Sequence, residues 1–327
     1  MSLRSIYRTV EADLTSVDEL LMSIKSDGSV WLDEMLAYSL ESGGKRIRPA
    51  LTLLVGKLHE YRLERLLPMA ASIELMHTAT LIHDDAIDKS AVRRTKRTAY
   101  NVWGEDKAIL LGDFLFAKAG EMATDTKSLQ AVKLFTRTLA IISTGEVNQS
   151  FSAFDINQTR EQYLQRIAHK TAALFALSTE SGGLLSEAPP AAICALREYG
   201  YHLGIAFQIT DDILDFTSTA KSMGKPIVSD LAQGTLTLPS MMILERYPED
   251  NPVKHLFKNH DHLSEKERQT LINEAREIVR SSSIVEDCRR VASEYSQKAC
   301  ESLEILPSGI IHNALEKLAR FILTRRK

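Results

Sequence analysis

The sequence has few cysteines, and none of them falls in a pattern that would cross-link the chain or bind a metal ion. The 327 residues include three, Cys194, Cys288 and Cys300. No two of them have the CxxC spacing of a redox or zinc site, and an odd, sparse set argues against a disulfide framework. This usage favours a reducing compartment, and the expected location is the cytoplasm.

Long apolar runs and an excess of one charge are also missing. The first residues, MSLRSIYRTVEADLTS, lack the apolar core of a signal peptide. The longest apolar candidate, Ala108 to Ala117, is interrupted by Gly112 and Asp113, so nothing approaches the ~18 residues of a membrane span. A formal net charge of -3 gives no reason to expect nucleic acid or an anionic membrane surface as a partner.

Strand-like alternation is absent from the sequence as well, whereas helical periodicity covers most of it. One predicted helix, Met69–Asp88, is expected to begin next to Pro68, because proline suits a first helical turn. The short breaks between helices contain Gly, Pro, Asn or Asp, and no linker composition marks a domain boundary. The sequence therefore predicts one all-α domain over residues 1–327. The other predicted helices are Lys107–Thr124, Leu129–Ser150, Arg160–Gly182, Ala191–Asp215, Pro239–Arg246, Ser264–Arg280, Val285–Leu306 and His312–Arg326.

Two of these helices end in the same acidic pattern. Asp84, Asp85 and Asp88 form DDAID, and a second cluster, DDILD, contains Asp211, Asp212 and Asp215. Residues four apart share a helix face, so the first and last aspartates of each cluster point together. A solvated acidic helix end is the simpler interpretation of one such cluster. However, aspartate is a poor helix former, and a helix C-terminus repels negative charge.

Two copies of DDxxD after strongly apolar helices are better explained by a metal site at the mouth of a buried cavity. Hard carboxylate oxygens suit Mg2+, which keeps several waters and bridges carboxylates to substrate phosphates. Zinc would require histidine or cysteine ligands, and neither is placed for it.

Basic residues occur where a phosphate ligand would explain them. Lys45, Arg46 and Arg48 lie just before a helix expected near Pro49, and cations at a helix N-terminus are misplaced unless an anion is bound there. Arg93 and Arg94 follow the first cluster in a long polar connection, residues 89–101, and arginine forks bind diphosphate oxygens. Lys96 and Arg97 are interpreted as solvated.

Five further polar residues have weaker individual claims. His77 is seven residues before Asp84 and shares its face, although a histidine in an apolar helix is more often a core residue. A second long connection, residues 217–238, offers a flexible cation that could close over a phosphate. A snorkelling lysine is the simpler interpretation of the helical Lys170. The remaining candidates are Thr171, Gln208 and, in the second connection, Lys225.

Taken together, these segments resemble the trans-isoprenyl diphosphate synthases, also called polyprenyl synthases. The resemblance covers nearly the whole chain and involves several separate motifs in the family's order. They are GGKRIRP at 43–49, HTATLIHDDAID, GDFLFA at 112–117, KTAALFALS at 170–178, FQITDDILDF at 207–216, GKPIVSDLAQGTLTLP at 224–239 and the basic tail Arg325-Arg326-Lys327.

The resemblance implies an isoprenoid synthase fold, a large helical bundle with a central cavity, and a role for each matching residue. Asp84, Asp88 and Asp211 are expected to hold three Mg2+ ions on an allylic diphosphate, supported by Asp85, Asp212 and Asp215. Isopentenyl diphosphate is expected at Lys45, Arg48, His77 and Arg94. Arg93, Lys170 and Lys225 correspond to cations on the allylic diphosphate, and Thr171 and Gln208 to dipoles that face the developing allylic cation.

Three positions depart from the family pattern. Thr95 and Ser229 replace glycines that are usual there, and Thr235 replaces a lysine that follows Gly234. These departures bear on how the loops close and not on the reaction.

Alternative functions and products stay open at this point. A class I terpene cyclase ionises the same substrates but needs no second one, and a non-catalytic subunit of a heteromeric synthase needs no intact metal clusters. A homodimer is implied by the resemblance, with a small helper subunit as the other possibility. Small residues at Ala79 and Thr80, about 6–7.5 Å below Asp84 along the helix, favour a product of about six or seven isoprene units, with geranylgeranyl length second.

Overall fold

The computed structural model describes residues 2–41, 44–93, 95–218 and 228–325, and the predicted all-α fold is confirmed. The helices of the first half are α1 Leu3–Tyr7, α2 Glu11–Met22, α3 Val30–Leu40, α4 Ile47–Gly56, α5 Leu63–Ile87, α6 Ala99–Trp103, α7 Glu105–Asp125 and α8 Leu129–Phe151. Those of the second half are α9 Arg160–Ile167, α10 Ala173–Leu185, α11 Pro190–Thr217, α12 Ser229–Ala232, α13 Leu238–Arg246, α14 Pro252–Asn259, α15 Glu265–Ser281, α16 Ile284–Ser302 and α17 Ile310–Leu323.

One predicted helix proves to be three segments. The range Arg160–Gly182 is divided into α9, a π-helical turn over Ala168–Ala172, and α10. The extra residue per turn shifts the side-chain direction relative to an uninterrupted helix, and π-turns are frequent at functional sites. Lys170 and Thr171 both lie in this turn.

The predicted start of the first acidic helix was wrong. Helix α5 begins at Leu63 and runs through Pro68, which lies inside the helix. Because proline has no N–H, the carbonyl of Glu64 has no amide partner four residues on. The connection after α5 is also less irregular than expected, since Val92–Arg93 and Lys96–Arg97 pair as a two-stranded antiparallel hairpin.

Two long helices, α5 and α11, carry the acidic clusters through the core. Every residue of α5 from Pro68 to Met76 is buried, and α5 packs along α7. The first half of α11 contributes Leu196, Tyr199 and Leu203 to one apolar cluster, and its second half joins another around α13, α15 and α16. Burial on most sides fixes both helices, and each ends in its DDxxD segment.

The π-helical turn and helix α11 meet at close range, and glycine makes this possible. A Cβ added to Gly204 would lie 2.5 Å from Ala172 Cα, so the two backbones touch. We expect Gly204→Ala to lower the free energy of unfolding by about 1–3 kcal/mol, because the backbones must separate. Gly120→Ala is the matched control: its Cβ would meet nothing nearer than 3.9 Å, and alanine there should stabilise α7 by up to about 1 kcal/mol. Urea denaturation of both variants measures the difference, and equal stabilities would contradict the close contact.

Within the described ranges, no helix combines the length and the apolar composition that crossing a membrane requires.

Candidate active site

The first acidic cluster lies at the end of α5, with one aspartate turned inward. The side chain of Asp84 is 16% exposed, and Asp88, the C-cap residue, is exposed. Asp85 is buried, and Arg93 Nε donates to both of its oxygens at 2.9 Å. The hairpin after α5 thus places Arg93 on the cluster.

Two of these carboxylates, Asp85 and Asp88, are harder to ionise than usual. Burial raises the pKa of Asp85, with Asp84 and Asp88 adding to the effect and Arg93 opposing it. Although the Asp88 side chain reaches solvent, desolvation by the surrounding atoms and the charge of Asp84 likewise raise its pKa. Neighbouring carboxylates with this tendency are stabilised by any cation bound among them.

Lys170 is the cation that the protein itself supplies to this cluster. Its ammonium lies 2.9 Å from Glu146 Oε2 and 3.5 Å from Asp84 Oδ2. Burial lowers the pKa of Lys170, but the charges of Asp84 and Glu146 outweigh burial and raise the pKa above its usual value. Burial also raises the pKa of Glu146, and the charges of Asp84 and Asp88 add to this effect, against that of Lys170.

Helix α8 reaches Lys170 because Gly145 lets it approach the π-helical turn. A Cβ at Gly145 would lie 2.7 Å from His169 Cβ. The next residue, Glu146, then contacts Lys170. Sequence analysis missed Glu146, since this contact depends on helix packing; its one local signal was an acidic residue beside a glycine in an otherwise amphipathic helix.

The second cluster divides into one accessible aspartate and two interior ones. The Asp211 side chain is 35% exposed, and Arg325 Nη1 lies 3.1 Å from its Oδ1. Asp212 and Asp215 are each 2% exposed. Asp215 receives long contacts of 3.4 Å from Ser229 Oγ and from the Asp230 backbone N–H, which tie α12 to the end of α11.

Asp212 has protein partners on both oxygens. Tyr163 Oη donates to Oδ2 at 2.7 Å, and Gln208 Nε2 donates to Oδ1 at 2.8 Å. Burial, with the charge of Asp230, raises the pKa of Asp212 to about 7, although the hydrogen bonds from Gln208 and Tyr163 lower it in part.

The π-helical turn brings the two clusters to one place. Lys170 contacts Asp84 on α5, and Thr171, the next residue, donates to Gln208 Oε1 on α11 at 2.6 Å. Gln208 is one turn before Asp211, so both clusters lie around Lys170 and Thr171. The structure therefore brings Lys170, Thr171 and Gln208 together beside the two aspartate clusters.

One cation of the basic segment before α4, Arg46, is anchored inside the protein. Arg46 Nε donates to Asp18 at 2.7 Å, and its Nη1 donates to the buried Glu74 at 2.8 Å. These bonds hold Arg46 at φ 49°, a left-handed conformation that a non-glycine residue seldom adopts. Lys45 is exposed on one side of this anchor, and the Arg48 guanidinium lies 4.8 Å from the centre of the Phe175 ring.

An aromatic pair connects this basic segment to the second cluster. Phe175 and Phe207 have ring centroids 5.1 Å apart. Arg48 covers the first ring, and Arg325 lies 4.1 Å from the centre of the second while it pairs with Asp211. Arg325 was noted in sequence only as part of a basic tail, and its contact with Asp211 depends on how α17 packs.

The remaining predicted residues are distributed as follows. His77 and Thr80 are partly exposed on the Asp84 side of α5, and Ala79 is fully buried. Arg94 and Lys225 lie outside the described residues. Lys96, interpreted as solvated, is instead held by α3: its ammonium donates to the Tyr38 carbonyl at 2.7 Å and covers the Tyr38 ring at 3.8 Å.

The structure also shows what the three departures from the family pattern do. Thr95 has φ 68° in the hairpin turn, a conformation in which the usual glycine would be less strained. Ser229 begins α12 and contacts Asp215. The backbone N–H of Thr235 donates to Asp230 at 2.9 Å. All three positions therefore lie in or beside loops that border the clusters.

The carboxylates have the chemistry to hold Mg2+. The accessible donors at the clusters are hard oxygens, which suit this ion better than softer metals. In the part of the chain that the structure describes, no three acidic, histidine or cysteine side chains enclose a metal ion by themselves. The donor set thus fits an ion shared between one or two carboxylates and a phosphate ligand.

Comparison with known proteins identifies the family of the chain. The family model for polyprenyl synthetase matches residues 29–275. The chain is 36% identical over 328 residues to a prenyl transferase of Cyanophora paradoxa, with 99% of each chain covered. It is 33% identical over 327 residues to heptaprenyl diphosphate synthase component 2 of Bacillus subtilis (strain 168), with 100% of this chain and 92% of that one covered.

A solved structure shows the same fold. The polyprenyl synthase of Caulobacter crescentus CB15, complexed with calcium and isoprenyl diphosphate, aligns with a TM-score of 0.91 at 34% identity, covering 100% of this chain and 98% of that one. The chain therefore belongs to the polyprenyl synthetase family and is a prenyl transferase.

Proposed function

We propose that the chain joins isopentenyl diphosphate to an allylic diphosphate and repeats this step to make an all-trans polyprenyl diphosphate of about six or seven isoprene units. The observation that carries the proposal is the meeting of the two DDxxD helices around Lys170 and Thr171. An active site for diphosphate ionisation needs cations at the leaving group and electron-rich dipoles at the carbon, and this arrangement supplies both.

The sparse, unpaired cysteines support a cytoplasmic location.

The leaving diphosphate would be held by metal ions and by cationic side chains. Asp84, Asp88 and Asp211 would hold Mg2+, and we propose three ions. When bound, these ions stabilise the negative charge that develops on the departing diphosphate. Lys170 and Arg93 already lie against the first cluster, where their charges can bind oxygens of the same group.

The second substrate would bind at the basic segment before α4. Lys45 and Arg48 lie on either side of the anchored Arg46, and His77 is on the accessible side of α5. The anchor is a buried ion pair with Glu74, so the backbone that carries both cations is fixed. Arg94 and Lys225 are proposed to add further cations to the two diphosphate sites.

The reaction then balances without a basic side chain. The allylic C–O bond breaks, and its electron pair leaves with the diphosphate. The double bond of isopentenyl diphosphate attacks the allylic carbon and a new C–C bond forms, which leaves a positive charge on the isopentenyl unit. The carbon next to that charge loses a proton to the released diphosphate, and the electron pair of the broken C–H bond forms the new double bond. Thr171 and Gln208 would stabilise the developing cation. We assign no general base.

A class I terpene cyclase is the nearest alternative, and dependence on the second substrate separates the two. A cyclase would consume an allylic diphosphate alone, so Lys45 and Arg48 would have no second diphosphate to bind. We expect consumption of farnesyl or geranylgeranyl diphosphate by the purified chain with Mg2+ to require isopentenyl diphosphate. Equal consumption without it would contradict the proposal.

The length of the product is proposed to depend on Ala79 and Thr80. If the allylic diphosphate is held at Asp84 and Asp88, its tail should run back along α5, where both of these side chains are small. Geranylgeranyl length is the second candidate. The final length depends on the residues at the floor of the tunnel, and these lie on other helices that the two clusters do not identify.

We predict that the chain forms a homodimer through α7 and α8. Apolar side chains remain exposed on these helices: Leu110 is 65% exposed, Val147 54% and Phe151 88%. Such a surface is typical of an interface. Light scattering at micromolar concentration should give the mass of two chains, and a monomer mass would count against the prediction. The related Bacillus subtilis protein is called a component, so activity that appears only on adding a second protein would indicate a helper subunit instead.

A further inference from the structure

Four side chains in the interior of the site form one chain of hydrogen bonds. Tyr163 Oη donates to Asp212 Oδ2 at 2.7 Å, Gln208 Nε2 donates to Asp212 Oδ1 at 2.8 Å, and Thr171 Oγ1 donates to Gln208 Oε1 at 2.6 Å. Tyr163, Asp212 and Thr171 are all buried, with exposures of 1%, 2% and 6%. The chain connects α9, α11 and the π-helical turn.

The donors and acceptors allow one direction for these bonds. In its ionised form, the Asp212 carboxylate accepts on both oxygens, so the Gln208 amide must turn its NH2 group toward it. The amide oxygen of Gln208 is then the atom that faces Thr171. A threonine hydroxyl has one proton, and here that proton is given to Gln208. The oxygen of Thr171 therefore offers lone pairs, not a proton, to any other neighbour.

This direction suits the charge that the proposed reaction creates. An oxygen that offers lone pairs stabilises a nearby positive charge, whereas a hydroxyl that donates its proton toward it would oppose that charge. Reversing the Gln208 amide would turn its NH2 group toward Thr171 and place its oxygen against the Asp212 carboxylate. The pair of residues expected to face the allylic cation is thus oriented from behind, by Asp212.

Asp212 differs in this respect from its neighbour. Asp211 is 35% exposed and contacts the C-terminal Arg325, whereas Asp212 has both oxygens occupied by Tyr163 and Gln208. Tyr163 is itself held in place, because Arg166 lies over its ring at 5.5 Å and bonds Gln158 and the Leu236 carbonyl. A carboxylate enclosed in this way is a hydrogen-bond acceptor for protein groups.

We propose that Tyr163 and Asp212 are positioning residues that set the direction of the Thr171–Gln208 hydrogen bond, and that Asp212 does not contact the metal ions that Asp211 holds. The kinetic effects expected from this inference rest on the proposed prenyl transfer. Its structural part, the contrast between Asp211 and Asp212, concerns metal binding alone.

Four variants test the proposal: Tyr163→Phe, Asp212→Leu, Asp212→Asn and Asp211→Asn. For each, we would measure kcat, KM for both substrates and the Mg2+ concentration for half-maximal rate. A second readout needs no turnover: the increase in melting temperature when Mg2+ and inorganic pyrophosphate are added.

Tyr163→Phe should lower kcat about tenfold and Asp212→Leu about a hundredfold, the sizes expected for one and two hydrogen bonds to a charged group. Both should keep KM and the Mg2+ requirement within about twofold of wild type. Asp212→Asn should recover most of kcat, because its oxygen can accept from Gln208 and its NH2 group can donate to Tyr163. Asp211→Asn alone should raise the Mg2+ requirement and reduce the melting-temperature increase.

Two results would overturn the proposal. If Asp212→Asn weakened the response to Mg2+ and pyrophosphate as much as Asp211→Asn does, Asp212 would be a metal ligand. If Tyr163→Phe and Asp212→Leu kept the wild-type kcat, the hydrogen-bond chain would not orient Thr171. If Tyr163→Phe lowers the melting temperature, Asp212→Asn decides the question, because this variant preserves side-chain volume. A wild type without transfer activity would refute the proposed function, while the melting-temperature contrast would still decide the role of Asp212.

Discussion

Replacing Asp84 or Asp211 by alanine should lower kcat by about a thousandfold or more while the fold stays intact. Each carboxylate is expected to hold metal ions that act on the leaving diphosphate, and such ions contribute several kcal/mol of transition-state stabilisation. Neither side chain belongs to the apolar core: Asp84 is 16% exposed and Asp211 is 35% exposed. Steady-state kinetics and thermal unfolding of the two variants measure the two effects separately.

The matched control is a surface acid with an equally simple ion pair. Glu121 is 63% exposed and pairs with Lys118 at 2.7 Å on α7, so Glu121→Ala removes a carboxylate and one salt bridge without touching the clusters. We expect this variant to keep the wild-type kcat. Turnover of Asp84→Ala or Asp211→Ala within a few-fold of wild type would show that these carboxylates do not hold the metal.

The second large effect is expected at Ala79, where tyrosine should shorten the product to about three or four isoprene units. Ala79 has no exposed surface, and it shares a helix face with Ser72 and His83, which bond the α7 carbonyls of Ala119 and Ile109. Helix α7 therefore blocks one side of residue 79. A tyrosine ring that turns away from α7 would enter the interior along α5, where the tail is proposed to run.

Product analysis by mass spectrometry checks this prediction, with Ala79→Ser as the control of similar volume. Thr80→Tyr is a useful companion, because Thr80 is partly exposed on the Asp84 side of the helix. If Ala79→Tyr keeps the wild-type product, the tail does not pass this residue. A lower melting temperature in that case would indicate that Ala79 is small because α7 packs against it.

The sequence predicted those features that depend on the residues of a single helix. The apolar runs before each DDxxD segment placed α5 and α11, because a helix buried on most sides must be apolar on most sides. The short helices α1, α2 and α3 at the N-terminus were not predicted, since their periodicity is weak and packing against later helices holds them. The start of α5 was predicted wrongly because of Pro68. Local rules place a proline in the first turn of a helix, whereas tertiary packing here tolerates one inside the helix.

The contacts between helices were beyond the reach of sequence patterns. Glu146 reaches Lys170 because Gly145 admits the π-helical turn, and a regular helix over 160–182 would place Lys170 differently. Tyr163 lies seven residues before Lys170, yet its partner is Asp212 on another helix. Asp211 and Asp212 are neighbours in the sequence and occupy opposite environments, which only the packing of α9 against α11 reveals.

The most direct test of the proposed function is the mass of the products that the purified chain forms from farnesyl diphosphate, isotope-labelled isopentenyl diphosphate and Mg2+. We expect a series of labelled diphosphates that lengthens by one isoprene unit at a time, ends at about six or seven units, and disappears when the metal is chelated. Unlabelled or cyclised products, or a series that forms equally well in the presence of a chelator, would contradict the assignment of the two aspartate clusters.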